Sequence, residues 1–213
     1  MSEALLNHPH ARYIWDYFVN AIGNEYGVAA LMGNLQAESG LYPDRVQGDI
    51  PYSSYSVEYT AKVDSGEISE YDFVHNGPNG GGYGLAQWTY YARKQALYNH
   101  YKGGKRSSIG AIDLACDYLY LELENDFPDV LSVLENATSI RTASDVVLHD
   151  FENPADQSEN VEQLRASMGT EIYNTFSGSE PLPPDEPDEP GTPGAKNRKL
   201  SKLLLYAVAS DLF

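Results

Sequence analysis

Two short stretches hold residue types that could do chemistry together. The first, Gly33-Asn34-Leu35-Gln36-Ala37-Glu38-Ser39-Gly40, closes the apolar run Val28 to Met32 and ends in a carboxylate followed by a glycine stop. A Glu in the last turn of an apolar helix meets the negative end of the helix dipole, and burial also penalises its charge. Both effects favour a proton on Glu38, which a general acid needs; a solvated carboxylate at a helix end is the competing role. The second stretch is Tyr83-Gly84-Leu85-Ala86-Gln87-Trp88. Its glycine lets backbone approach a ligand closely. Gln87 can both donate to and accept from an N-acetyl group or hydroxyl. Trp88, Tyr90 or Tyr91 offers a flat face for a sugar ring, although Trp88 could equally serve the core.

Such a set suits cleavage of a glycosidic bond, which needs a proton on the leaving oxygen and a group that stabilises or intercepts the cationic sugar. Candidates for a second carboxylate are Asp44, Asp49 and Glu58, all in the long segment between the two motifs. Asp49 is favoured because Gly48 permits a turn aimed inward, against the alternative of a solvated loop Asp. A reaction in which the substrate's own hydroxyl attacks would need no such base.

Helices must position these groups. Ile14, Phe18 and Ile22 share one face of a helix over 11–22, Gly23-Asn24 interrupts it, and a second helix over about 26–38 packs against the first. From Leu41 to Gly82, proline and glycine break the pattern, with short helices expected over 57–63 and around 69–73. A loop of that length calls for a function or internal structure. Tyr90 to His100 reads as helix. Ser108 is the expected N-cap of a long helix with Ile109, Ile112, Ala115 or Cys116, Leu119 and Leu123 inward. Pro128 opens the next helix, one over 143–151 follows, and Glu159 to Phe176 is the last. The expected fold is mainly α, with about seven or eight helices and a long loop or small β-hairpin lining a cleft.

In order, these motifs resemble the Glu-Ser … Gly-Leu-x-Gln pattern of goose-type lysozymes and lytic transglycosylases, and more closely the phage tail lysozymes. The matching stretches are Trp15-Asp16-Tyr17, Met32 to Gly40, Tyr83 to Thr89 with Arg93-Lys94, and Phe151-Glu152-Asn153-Pro154-Ala155-Asp156, covering roughly residues 11–176. The resemblance implies a lysozyme-like helical domain that cleaves peptidoglycan between N-acetylmuramic acid and N-acetylglucosamine, with Glu38 as the acid. Gln87, Tyr83, Trp88 and Ser39 would contact substrate. Glu152 would join them, but the family often has Arg where this chain has Asn153. The role of Glu152 therefore stands open between substrate contact and a structural cap or salt bridge. Two other readings remain: a lytic transglycosylase of the same fold, and a non-catalytic wall-binding or tail-structural protein.

Composition narrows the partners. A formal net charge of −17 argues against nucleic acid, whose phosphates need clustered Lys and Arg. No segment reaches the roughly 20 apolar residues of a membrane span, and the first residues do not read as a signal peptide. The resemblance implies the cell wall as the site of action, reached after release from a host cytoplasm or from a virion tail. Cys116 stands alone, so no intrachain disulfide forms, and an apolar setting assigns it to the core. The five histidines show no metal-ligand spacing, and neither metal nor cofactor is expected. Residues 1–10 read as a lead, 11–176 as the catalytic domain and 177–195 as an acidic proline-rich linker. Residues 196–213, basic then apolar, read as a docking segment for a wall-binding module or tail partner, or as a helix folding back.

Overall fold

The computed structural model describes residues 2–77, 81–104 and 106–178. The linker and basic-apolar segment expected from 179 onward lie outside the described residues. The elements run α1 (Glu3–Leu6), α2 (Ala11–Ile22), α3 (Glu25–Ser39), α4 (Ser54–Ser65), α5 (Glu70–His75), α6 (Tyr91–Gly103), α7 (Ile112–Asn125), α8 (Pro128–Glu135), α9 (Ile140–Val146), a π-helical turn (Val147–Glu152) and α10 (Glu159–Phe176). The mainly helical expectation holds.

The central helix is α3. Every residue from Gly27 to Leu35 is buried, so it lacks a solvent face and owes its stability to being surrounded. Its ends are chemically defined. Asn24 accepts from the Tyr26 and Gly27 amides at the N-terminus, and Gly40, at φ 64°, closes the C-terminus with its N–H on the Gln36 carbonyl. Two glycines let neighbours reach its backbone. A Cβ on Gly33 would stand 2.5 Å from the Arg165 carbonyl oxygen and 2.6 Å from the Gly169 nitrogen. A Cβ on Gly169 would meet the Ala29 carbonyl oxygen at 2.7 Å. Helix α10 therefore crosses α3 with near backbone contact, which brings Arg165 alongside the last turn of α3.

The long segment after α3 folds around α4 and α5, capped by Ser53 and Ser69. In place of a hairpin, the described residues hold two isolated antiparallel bridges, Val46 with Tyr83 and Tyr83 with Trp88. Two backbone hydrogen bonds, Gln47 N–H to Gly82 O and Gly84 N–H to Arg45 O at 2.8 Å each, tie the loop onto the second motif.

Two helix boundaries differ from the sequence expectation. Ala111, not Ser108, caps α7, and the Ser108 hydroxyl accepts from Gly110 N–H in a turn that precedes the helix. The single helix expected over 143–151 is α9 running without a break into the π-helical turn, closed by Asn153 in a left-handed conformation at φ 46°. Hydrophobic spacing over one turn cannot tell an i→i−4 ladder from an i→i−5 one. Among the described residues no helix is long and apolar enough to cross a membrane.

Candidate active site

Glu38 sits in the last turn of α3 at the wall of a cleft of about 460 Å³, which Gln87, Tyr90, Arg93 and Glu152 also line. Four chain segments thus converge there: the end of α3, the loop that follows it (Arg45, Gln47, Gly48 and Ile50), the second motif with the start of α6, and the end of the π-helical turn.

Glu38 has a cationic partner that sequence reasoning missed. Arg165 Nη2 donates to Glu38 Oε1 at 2.5 Å, and Nη1 donates to Asn34 Oδ1 at 3.2 Å. The Asn34 amide nitrogen in turn donates to Ala30 O, Ser144 O and Ser144 Oγ at 3.0–3.2 Å. Asn34 is therefore a fully satisfied polar residue inside the apolar helix, one turn below Glu38, and it orients the guanidinium that holds Glu38. An Asn four residues before the Glu in an otherwise apolar run was the available signal; its partner, 131 residues away, was not.

Three residues expected at the cleft wall are turned into the protein instead. Ser39 is buried and its hydroxyl donates to Leu35 O at 3.0 Å, as a helical Ser commonly does. Tyr83 is 2 % exposed, with its hydroxyl 2.8 Å from Thr60 Oγ1, and burial pushes its phenol well up. Trp88 is fully buried and its indole N–H donates to Glu122 Oε2 at 2.9 Å. Their spacing serves the scaffold. Glu122 also accepts from Arg93 Nε at 2.6 Å and Nη2 at 2.8 Å, so one buried carboxylate anchors both the second motif and α6 to α7. Arg93 lies over the Phe151 ring, 4.7 Å from its centroid, and so reaches the π-helical turn. Lys94, buried beside it, donates to Gly81 O at 3.1 Å, and burial lowers its pKa.

Gln87 does line the cleft, from a left-handed backbone at φ 45°. Such a conformation in a non-glycine residue is uncommon and concentrates at functional sites. Its amide nitrogen donates to Arg45 O and Gly84 O at 3.0 Å each, which locks the side chain. Tyr90, 59 % exposed, supplies an open ring at the rim.

None of the three loop carboxylates expected as partners lines the cleft. Asp49 accepts from the backbone and hydroxyl of both Ser53 and Ser56, with hydroxyl distances of 2.5 and 2.6 Å. Burial alone would raise it, but these bonds hold its carboxyl below the usual range; it is the anchor of the α4 N-terminus. Asp44 receives the Tyr52 hydroxyl at 2.8 Å and is raised chiefly by burial. Glu58 is exposed on α4.

The carboxyl that shares the cleft with Glu38 is Glu152. Part of it faces the cleft, while its Oε1 is buried and has no hydrogen-bond partner. Burial first, and then the charge of Glu38, push its pKa well above the usual carboxylate range, against the opposing pull of Arg93 and Arg165. Among the described residues, no group of three or more His, Cys, Asp or Glu could hold a metal ion.

A family model described as phage tail lysozyme matches residues 9–176. No curated protein and no solved structure matches the chain.

Proposed function

The chain belongs to the phage tail lysozyme family, a family of peptidoglycan-lytic enzymes, and on that footing we propose that it cleaves the glycosidic bond between N-acetylmuramic acid and N-acetylglucosamine with Glu38 as general acid. The observation that carries this reading is the meeting of two carboxyls, Glu38 and Glu152, in one cleft that also holds Gln87 and an open tyrosine ring. Two carboxyl groups about a scissile bond are the usual equipment for glycoside cleavage. Tyr90 stacks on a sugar face at the rim, and Gln87 presents a rigid polar edge to the saccharide. The ion pair with Arg165 fixes the direction of the Glu38 carboxyl, and fixed orientation contributes directly to rate.

Substitution of the acid tests the proposal. Glu38→Gln should lower release of glycan fragments from purified walls by about 10²–10⁴-fold, the usual contribution of a positioned acid. Gln keeps an acceptor oxygen for Arg165, so the thermal melt should move little. Retention of most of the activity by Glu38→Gln would sink the assignment. Mass spectrometry of the products separates a hydrolase, which leaves new reducing ends, from a transglycosylase, which leaves 1,6-anhydro ends. Wall binding without any product would identify a non-catalytic protein.

A further inference from the structure

Glu152 is a half-buried carboxyl whose Oε1 is buried and has no hydrogen-bond partner. A carboxylate left that way is costly, whereas the neutral acid is not. Its position is built rather than incidental. The π-helical turn Val147–Glu152 is the one departure from α-helical winding between α9 and Asn153, and Asn153 closes it with its N–H on Leu148 O at 2.9 Å. One extra residue in a helical turn rotates every later side chain about the axis, and such insertions gather at functional sites. Here the residue at the end of the turn is Glu152, with Phe151 held under Arg93. The charged groups that act on it come from four other elements: Glu38 of α3, Arg93 of α6, Glu122 of α7 and Arg165 of α10. On its own turn, His149 is engaged by Gln157 and Glu162.

We propose that Glu152 is the second carboxyl of the site: it stores the proton that Glu38 delivers, and it then receives the proton of the attacking water. This rests on the glycosidase reading above. In the resting protein the proton sits on Glu152, whose buried Oε1 has no donor to stabilise it as a carboxylate. During cleavage Glu152 passes its proton to Glu38, and Glu38 gives it to the leaving oxygen as the bond from that oxygen to the anomeric carbon breaks. The Glu152 carboxylate so formed lies in the field of Arg93 and Arg165. It takes a proton from the water whose oxygen bonds to the anomeric carbon. One water is consumed, one glycosidic bond is lost, and Glu152 ends protonated as it began.

The test is infrared titration of the whole chain with isotope-labelled glutamate, which leaves the half-buried Asp44 silent, paired with steady-state kinetics. Wild type should show a protonated glutamate carbonyl band at neutral pH. Glu152→Gln should abolish it while keeping a cooperative melt, because an amide is easily accommodated where an unpaired carboxyl stood. Glu38→Gln, which removes the neighbouring charge, should move the band's titration to lower pH. On walls, Glu152→Gln should lose about 100-fold or more in kcat with KM little changed. The proposal is overturned if wild type lacks the band at neutral pH, if the band survives in Glu152→Gln, or if that variant keeps kcat within a few-fold of wild type. A wild-type protein with the band but without any cleavage product would instead overturn the glycosidase reading.

Discussion

At the scale of single residues, the site is two carboxyls in unequal surroundings. Glu38 is held by a guanidinium; Glu152 is not hydrogen-bonded at its buried oxygen. The raised pKa of Glu152 has a stability consequence whose sign follows from linkage. The folded state keeps a proton that the unfolded chain gives up, so stability falls as pH rises from the ordinary glutamate range toward the folded-state pKa, and the full penalty stands above it. Glu152→Gln removes that slope. The melting temperature of the variant should gain on wild type progressively as pH rises above the ordinary glutamate range; a difference that stays constant from below that range upward would contradict the account. Arg165→Leu makes the complementary case. It strips a buried partner from Asn34 and Glu38 at once, and a broken buried pair costs about 3–5 kcal/mol. Urea unfolding should register that loss, together with a fall in wall-lytic rate.

At the scale of elements, the crossing of α3 and α10 decides where Arg165 stands. Gly33 and Gly169 leave no room for a methyl group against backbone atoms that cannot move aside. Gly33→Ala should therefore cost about 3 kcal/mol or more. Gly66, at φ 79° with open space around it, should cost only about 1 kcal/mol on the same change. Equal losses at the two sites would refute the packing argument. The π-helical turn acts as a second positioning device.

At the scale of the whole molecule, a net charge of −17 opposes approach to an anionic wall, and salt weakens that repulsion. The rate on purified walls should rise as salt increases from about 10 to 150 mM, where the Debye length shrinks to about 8 Å; a falling rate would show that attraction, not repulsion, governs the encounter. The helical character of the chain, α2 and α3 with the glycines that end them, Pro128 at the start of α8 and the run of α10 were legible in the sequence, because apolar spacing, caps and stops are local properties of a few turns. Glu38 and Gln87 at one cleft followed from their motifs. The roles of Tyr83, Trp88 and Ser39 did not, since whether an aromatic ring or hydroxyl faces a ligand or the core depends on what packs over it. Which carboxyl shares the cleft with Glu38 was likewise tertiary: the sequence offered Asp44, Asp49 and Glu58, and left Glu152 between a substrate contact and a structural cap or salt bridge. Each is an acid in a polar stretch, and only the fold gives Asp49 its serines, Asp44 its tyrosine and Glu152 an oxygen without a donor. The sequence by itself determined the helices and pointed to Glu38; only the tertiary structure brings Glu152 into the same cleft and supplies Arg165, because electrostatic partners more than a hundred residues apart are set by how helices cross.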